Sequence, residues 1–292
     1  MEMVKQNPAA TKIKPMLTRS QRKHQRLKRK TILWAIIVSL ILVFSFFATY
    51  FTPNDPYETN PLAMRQGPSA EYPFGTDNLG RCVYSRILEG ARTSIFATIM
   101  LVIISFFVGT VIGVLCGYYG GVVDDIVMRF TDILLSVPQL VLAIAVAGIL
   151  GGSLMNTLIA IGITSWTSYA RLARSHAMRI RQLPFINACR LTGCSDFHII
   201  ITHVVPNLIG PMLVNATLEI GTTMLSIAGL SFLGLGVAPP TAEWGSMVSE
   251  ARSYLQLAPW AVFAPALAIL LTVMLFNYFG ESVCDLANSQ EA

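Results

Sequence analysis

Long apolar runs separated by short polar segments make up most of this chain. Six runs come close to the ~20 residues that an α-helix needs to cross ~30 Å of hydrocarbon. They cover residues 32–51, 93–118, 133–150, 154–170, 208–235 and 257–279, and the fourth is the shortest. The pattern predicts an all-α integral membrane protein with six transmembrane helices.

Composition agrees with this interpretation, and charge gives it an orientation. Mean hydropathy is +0.58, and 13% of residues are charged, against roughly 25% in soluble domains. Ten of the 21 lysines and arginines lie in residues 1–30, whereas 11 arginines and 15 acids, a balance of −4, follow. A basic segment before the first apolar run predicts a cytoplasmic N-terminus. Such a segment contacts lipid headgroups, so no nucleic acid partner is expected.

The polar segments divide the chain into five parts. These are a basic cytoplasmic tail at 1–30, a first transmembrane helix at 31–52, an extracytoplasmic segment at 53–92, a five-helix core at 93–285 and a cytoplasmic tail at 286–292. Five prolines in the extracytoplasmic segment exclude one continuous helix. A turn at 75–81 and an interfacial helix at 83–89 are expected there.

A long loop inside the core, residues 171–207, carries five arginines against one acid, which supports a cytoplasmic position. The extracytoplasmic segment carries four arginines, which argue for the opposite orientation, but five acids accompany them. Short charged segments beside the first helix usually dominate orientation. Both termini are therefore expected in the cytoplasm.

Catalytic motifs are missing from the sequence. Every lysine lies at or before position 30, which excludes a P-loop because that motif needs a lysine to reach the phosphates. No H-E-x-x-H or C-x-x-C motif is present, and no G-x-S-x-G lies at a strand-to-helix turn. The sequence predicts no catalytic residue, no metal site, no bound cofactor and no enzyme activity of this chain.

A polar island at 185–206 interrupts the apolar runs. Pro184 is expected to end the preceding helix, because the residue before a proline is driven out of the helical conformation. Asn187 is a favourable N-cap for a short new helix with its first turns at 188–191.

The second half of the island predicts a turn and another helix. Gly193 suits the left-handed conformation that ends a short helix, and Ser195 with Asp196 can cap a helix at 197–204. Pro206 then marks the start of the next transmembrane helix. The result is an elbow of two short helices at the membrane surface. An amphipathic helix that merely lies among the headgroups explains the residues equally well.

Several motifs resemble those of a known family. The island sequence NACRLTG, with HVVPN downstream, resembles the EAA-type loop of binding-protein-dependent ABC importer permeases. FGTDNLGR at 74–81 and GARTS at 90–94 are similar to two further motifs of these permeases, as are YAR at 169–171 and GLSFLGLG at 229–236. The resemblance extends over residues 30–286 and implies the type I ABC importer permease fold.

The resemblance also implies partners and a location. The chain would pair with a second homologous permease, two ATP-binding subunits and an external solute-binding protein, in the inner membrane of a prokaryote. ATP hydrolysis would take place in the partner subunits. The implied cargo is nickel, or a nickel chelate, or di- and oligopeptides, as in the C-type permeases of this group. The sequence TAEWG at 241–245 is similar to the nickel branch.

The resemblance assigns a role to the island, in which a helix of the permease docks into a cleft of the ATP-binding subunit. The residues expected to couple to that subunit are Asn187, Ala188, Cys189, Arg190, Gly193, Ser195, Asp196 and Pro206. Asn187 replaces the acidic residue of the family motif, Cys82 replaces an aspartate, and the motif at 280–285 lacks its arginine. Docking is therefore expected to depend on helix shape and small side chains more than on an ion pair.

Glu219 lies about twelve residues into the fifth predicted transmembrane helix, near mid-membrane. An acid at that depth is costly unless it faces the protein interior or a wet cavity. It either lines the translocation path, favouring cationic cargo, or is a hydrogen-bonded structural carboxyl. The alternative function is a stand-alone proton-coupled carrier or channel, which needs several such ionisable residues.

Overall fold

The computed structural model describes residues 19–291 of the chain, and these residues are almost entirely helical. The helices are α1 (Arg19–Phe47), α2 (Val83–Tyr119), α3 (Gly121–Ser136), α4 (Gln139–Leu150), α5 (Leu154–Arg181), α6 (Pro184–Leu191), α7 (Asp196–Ile199), α8 (Val205–Phe232), α9 (Trp244–Ala251) and α10 (Trp260–Glu291). Within this range the only β-type pairing is an isolated bridge between Thr76 and Cys82. The all-α prediction is confirmed.

Four helical stretches are long and apolar enough to cross a membrane: His24–Phe51, Val83–Tyr119, Asp196–Phe232 and Trp260–Ala287. The bent pair α3 and α4 counts as a fifth if it forms one crossing. By composition, α5 falls short of this criterion. Its 28 residues nevertheless extend for about 42 Å at 1.5 Å per residue.

Contacts at both ends of α5 show how far this helix reaches. Near its start, the Thr157 hydroxyl donates a hydrogen bond of 2.8 Å to the Leu235 carbonyl, just beyond the end of α8. Near its end, Arg181 donates to the Tyr119 carbonyl at 3.3 Å, at the last residue of α2. Because α2 and α8 are long enough to cross the membrane, α5 covers the same thickness. This geometry supports the fourth predicted crossing, at residues 154–170.

The third predicted transmembrane helix is not continuous. The chain bends by 89° between α3 and α4, at Val137 and Pro138, because the pre-proline residue takes an extended conformation instead of a helical one. The apolar part beyond the bend, α4, has 12 residues and is about 18 Å long. The apolar run at 133–150 therefore covers parts of two helices that meet at a sharp bend.

Helix α2 begins ten residues before the second predicted transmembrane helix. Residues 83–89, predicted as a separate interfacial helix, are its first turns, and the whole helix has 37 residues. Gly90 does not interrupt it. A Cβ at Gly90 would lie 2.9 Å from the Trp244 ring, and the same indole donates to the Ile87 carbonyl at 2.9 Å. This part of α2 is thus held by the chain near α9.

A stripe of glycines joins α2 to α5. An added Cβ at any of them would lie 2.2 to 2.5 Å from a main-chain oxygen of α5. The three glycines, each one turn from the next, are Gly109, Gly113 and Gly117. Small residues at this spacing allow two membrane helices to approach closely. The close contact between α2 and α5 therefore extends over about two turns, towards the end of α5.

A buried charge cluster fixes the extracytoplasmic segment to α9. No sequence motif predicted this cluster. Arg81 lies 2.6 Å from an Asp77 carboxylate oxygen and 2.7 Å from one of Glu250. Arg86 lies 3.8 and 3.7 Å from the same two carboxylates. Both arginines are at most 2% exposed. Burial next to this cluster also raises the pKa of Tyr254 to about 12.

The two ends of the described chain lie side by side. Lys30 forms an ion pair of 3.7 Å with Asp285, and the Thr31 hydroxyl donates to the Ser282 carbonyl at 2.8 Å. Residues 1–18 of the predicted basic tail lie outside the described residues, but the tail is helical from Arg19 and continues directly into the first crossing. Because the two ends lie on the same side of the membrane, the chain between them must cross it an even number of times.

Candidate functional site

The island begins with a sharp break between α5 and α6. Helix α5 ends at Arg181, and Leu183 is extended (φ −71°, ψ 143°) as the N-cap of α6, with Pro184 in its first turn. The helix break predicted at Pro184 is therefore confirmed. Asn187 is not the N-cap, because a proline needs no hydrogen-bond acceptor for its nitrogen and is favoured at the first helical position. Asn187 is an exposed residue inside α6.

Gly193 ends α6 in the predicted conformation. Its φ is +84°, and two main-chain hydrogen bonds close the turn. The Gly193 N–H donates to the Arg190 carbonyl at 3.0 Å, and the Cys194 N–H donates to the Cys189 carbonyl at 3.1 Å. These are the two bonds of the Schellman motif. No other atom lies within 4 Å of a Cβ built at Gly193, so only main-chain conformation favours glycine there.

The second arm of the island is continuous with the next crossing. The Ser195 hydroxyl caps α7 by accepting from the His198 N–H at 3.3 Å. A π-helical turn, Ile200–Val204, follows, in which the Val205 N–H donates to the Ile200 carbonyl. Pro206 lies in the first turn of α8, near the helix start predicted there. No gap precedes it, because the wider turn accommodates its missing N–H. Residues Asp196–Phe232 form one 37-residue stretch.

The elbow, defined as residues 184–206, has an inner face and an outer face. On the inner face, Ile186 is fully buried, and the Cys189 sulfur lies 3.6 Å from Nε2 of His203. On the outer face, Asn187 and Ala188 are exposed, and Leu191 is 89% exposed. The outer surface of α6 is therefore free to meet a partner, whereas Cys189, predicted to contact one, faces the permease itself.

Polar contacts anchor the elbow to the end of α2. The Tyr118 hydroxyl donates to Oδ1 of Asp196 at 2.6 Å. The Arg190 guanidinium lies 5.2 Å from the centre of the Tyr118 ring and 3.9 Å from the Asp196 carboxylate. Interaction with Tyr118 raises the pKa of Arg190, so the guanidinium stays charged. Arg190 and Asp196 thus hold the elbow in place. No motif in the sequence points to Tyr118 as their partner.

Glu219 lies at a small polar cavity between α4, α5 and α8. The cavity has a volume of about 50 Å³ and is lined by Gln139, Ser165, Ser168, Glu219, Thr222, Thr223 and Ser226. Glu219 is the only charged residue among them, and Tyr169 and Asn215 are close enough to interact with its carboxyl group. A carboxyl group within a membrane needs polar partners, and the hydroxyl and amide groups around Glu219 provide them.

Across residues 19–291, no three His, Cys, Asp or Glu side chains are arranged to hold a metal ion. Of the predicted coupling residues, Asp196 and Pro206 lie on the same helical stretch as Glu219, 23 and 13 residues before it. The elbow and the cavity are thus two sites connected by α8.

Comparison with known proteins decides the family. A family model described as the binding-protein-dependent transport system inner membrane component matches residues 109–286. The chain belongs to this family. It is a multi-pass permease subunit of an ABC importer with the type I fold, located in the bacterial inner membrane, and it is not itself an enzyme.

Three permeases of this group are similar to most of the chain. The dipeptide transport system permease protein of Alkalihalophilus pseudofirmus is 41% identical over 263 residues, 90% of this chain and 86% of that protein. The probable D,D-dipeptide transport system permease protein of Escherichia coli K12 is 41% identical over 256 residues, with coverages of 88% and 86%. The glutathione transport system permease protein of Pectobacterium atrosepticum is 39% identical over 251 residues, with coverages of 86% and 83%.

One solved structure is also similar, the inward-facing MetNI methionine ABC transporter. The TM-score is 0.49 at 18% identity, covering 65% of this chain and 92% of that chain. The fold assignment rests on the family match. Permeases of this family belong to binding-protein-dependent systems, so partner subunits follow from membership in general terms. None of the three relatives named above carries a nickel designation, so the predicted lean towards nickel finds no support in them.

Proposed function

We propose that this permease forms a translocation path for small peptides with a second homologous permease, and that its elbow couples the path to one of two ATP-binding subunits. The observation that carries this proposal is the construction of the elbow. It is anchored on α2 and α5, is continuous with α8, and still leaves the outer face of α6 exposed. An external solute-binding protein would deliver the cargo.

The elbow is suited to transmit movement because its two arms are fixed differently. Its first arm, α6, is joined to α5 by the break at Pro184, so it can rotate about that point. Its second arm continues into α8 without a gap. A displacement of α6 by a partner therefore moves the helix that carries Glu219. Rigid-body rocking of packed helices about such joints is a common switching motion.

The relatives and Glu219 together favour a peptide cargo. The three relatives named above are designated for dipeptides, D,D-dipeptides and glutathione. A peptide carries an α-amino group that is cationic at neutral pH, and a carboxylate lining the path would attract it. Glu219 would act in this way when the cavity widens during transport. The proposed orientation places both termini in the cytoplasm, on the side of the elbow.

The cargo is tested by uptake into vesicles that contain the assembled complex with its binding protein. We expect ATP-dependent accumulation of a labelled dipeptide and none of labelled nickel. Accumulation of nickel without dipeptide would contradict the proposed cargo. Uptake without any ATP-binding subunit would instead support the stand-alone carrier, which membership of this family does not favour.

The docking role is tested by Leu191→Asp, because Leu191 is the most exposed large apolar residue of the elbow. We expect the variant to fold but to lose co-purification with the ATP-binding subunit, since a charge replaces an apolar contact. The matched control is Leu62→Asp, an equally exposed leucine (93%) on the opposite side of the membrane. Equal retention of the subunit by both variants would contradict docking through α6.

A further inference from the structure

Two cysteines of the elbow are brought together by the turn at Gly193. Cys189 is the third residue from the end of α6, and Cys194 is the second residue after its cap. In a Schellman motif the side chains at these two positions frequently contact each other. The hydrogen bond of 3.1 Å between the Cys194 N–H and the Cys189 carbonyl keeps their Cα atoms within about 7 Å, close to the range that disulfides span. Both thiols are free.

The surroundings of the pair supply a base and a polar neighbour. Nε2 of His203 lies 3.6 Å from the Cys189 sulfur, where a neutral imidazole accepts a thiol proton. The Thr192 hydroxyl lies 3.7 Å from the Cys194 sulfur and donates to the Cys189 carbonyl at 2.9 Å. This hydroxyl therefore contacts both cysteines. Thiols beside a histidine react as nucleophiles more readily than isolated ones.

Both cysteines are half-buried, on the inner side of the elbow, and pack against its apolar core. A small oxidant can reach them there, and the outer face of α6 is left unobstructed. They are the only two of the five cysteines that lie in the elbow. The remaining three belong to α10, to the interior of α2 and to the extracytoplasmic segment before α2.

We propose that Cys189 and Cys194 form a hydroperoxide-sensitive dithiol that closes to a disulfide. The Cys189 sulfur, after passing its proton to His203, attacks the terminal oxygen of a hydroperoxide. The S–O bond forms, the O–O bond breaks, and the alcohol leaves with the proton from His203. The Cys194 thiol then attacks the sulfenic sulfur, the S–S bond forms, and water leaves. Two thiols are oxidised and one hydroperoxide is reduced to an alcohol and water.

The disulfide would act on the joint between α6 and α8. Its formation turns the Cys189 sulfur from His203 towards Cys194. One of the contacts between α6 and the turn before α8 is then lost, and that of Phe185 with His203 remains. If the elbow couples to an ATP-binding subunit, as in the proposed function on which this consequence rests, the oxidised complex loses stimulated ATP hydrolysis several-fold. The oxidation itself does not depend on that function.

The experiment is a peptide map of the full chain in its assembled complex after treatment with cumene hydroperoxide and blocking of free thiols. Trypsin cleaves after Arg190, between the two cysteines, and a protease that cuts before Asp196 releases residues 191–195. We expect these residues to be linked to peptide 182–190, and the link to disappear on reduction. Absence of the linked pair, with both thiols still blocked as free, would overturn the proposal.

Three variants test the chemistry. Cys194→Ser should leave Cys189 as a sulfenic acid that dimedone traps, because no second thiol resolves it. His203→Gln should slow the oxidation by about tenfold or more through loss of the base. His198→Gln is the matched control and should not change the rate. Equal rates for both histidine variants would contradict the role of His203.

ATP hydrolysis by the same samples separates the two proposals. Cys189→Ser should be insensitive to hydroperoxide in this assay. A linked peptide pair without any change in stimulated hydrolysis supports the dithiol and counts against coupling through the elbow. An unlinked pair in a complex with normal stimulation overturns the dithiol and leaves the proposed function standing.

Discussion

At the scale of single residues, the conformation of Gly193 and the cap at Ser195 followed from local chemistry, and the position of Asn187 did not. Gly193 and Ser195 each depend on neighbours within three residues, so the sequence was sufficient for them. Both Asn187 and Pro184 are residues that favour the start of a helix. The short helix begins at Pro184. The inward orientation of Cys189 depends on His203, which lies fourteen residues away, so no local rule could give it.

Gly193 offers the sharpest test at this scale. Gly193→Leu should preserve assembly but abolish ATP hydrolysis stimulated by loaded binding protein, because a side chain costs about 1–2 kcal/mol in the left-handed conformation and alters the turn. Gly193→Asn is the matched control, since asparagine tolerates that conformation, and it should retain most of the stimulation. Stimulated hydrolysis is measured in vesicles. Unimpaired stimulation of the leucine variant would refute the role of the turn.

Glu219→Gln tests whether the acid meets cargo. With a cationic dipeptide, uptake should fall by about tenfold, the equivalent of ~1.4 kcal/mol of lost attraction, while uptake of a neutral, N-acylated dipeptide should change little. Initial uptake rates of both cargoes are measured in the same vesicles. An equal drop for both cargoes would support a structural carboxyl.

At the scale of helices, the sequence placed most apolar segments correctly but misjudged their ends. The start of α2 lies ten residues outside the hydrocarbon-length run, because that extension is held by Trp244, more than 150 positions away. The position of the bend at Pro138 could be predicted from the proline. The angle of 89° could not, because it depends on the helices against which α3 and α4 pack. The length of an apolar run is determined by the thickness of the membrane. The length of a helix also depends on tertiary contacts beyond the membrane.

The glycine stripe between α2 and α5 predicts a strong dependence on side-chain size. Gly113→Leu should lower the unfolding temperature in detergent or prevent folding, since overpacking costs about 1–3 kcal/mol or more and the α5 main chain is in direct contact. Gly148→Leu, in an equally apolar helix, is the control, because nothing lies within 4 Å of its Cβ position. Similar thermal unfolding of both variants would argue against close packing at the stripe.

The buried charge cluster makes a second prediction at this scale. Asp77→Asn should destabilise the protein by about 3–5 kcal/mol, because two buried arginines lose a partner charge. Glu58→Gln, an exposed acid of the same extracytoplasmic segment, should have almost no effect. The two variants are compared by thermal unfolding and by proteolysis of residues 53–82. Equal resistance would mean that the cluster does not hold this segment.

At the scale of the whole molecule, six crossings were predicted from apolar runs, and contacts between helices support the fourth of them. Helix α5 as a whole falls short of the apolar criterion, and four of its hydroxyl side chains, Thr157, Thr164, Ser165 and Thr167, are buried. Its two ends, fixed to α8 and α2, show that it crosses. The adjacent ends of α1 and α10 require an even number, which six satisfies. The orientation in the membrane remains a prediction from the charge of residues 1–30.

In the proposed mechanism, force passes from an ATP-binding subunit through the outer face of α6 into α8. The most direct measurement is ATP hydrolysis by the complete complex in vesicles, with and without peptide-loaded binding protein, for Leu191→Asp and Leu62→Asp. We predict that stimulation disappears in the first variant and persists in the second. Full stimulation with aspartate at position 191 would contradict the account.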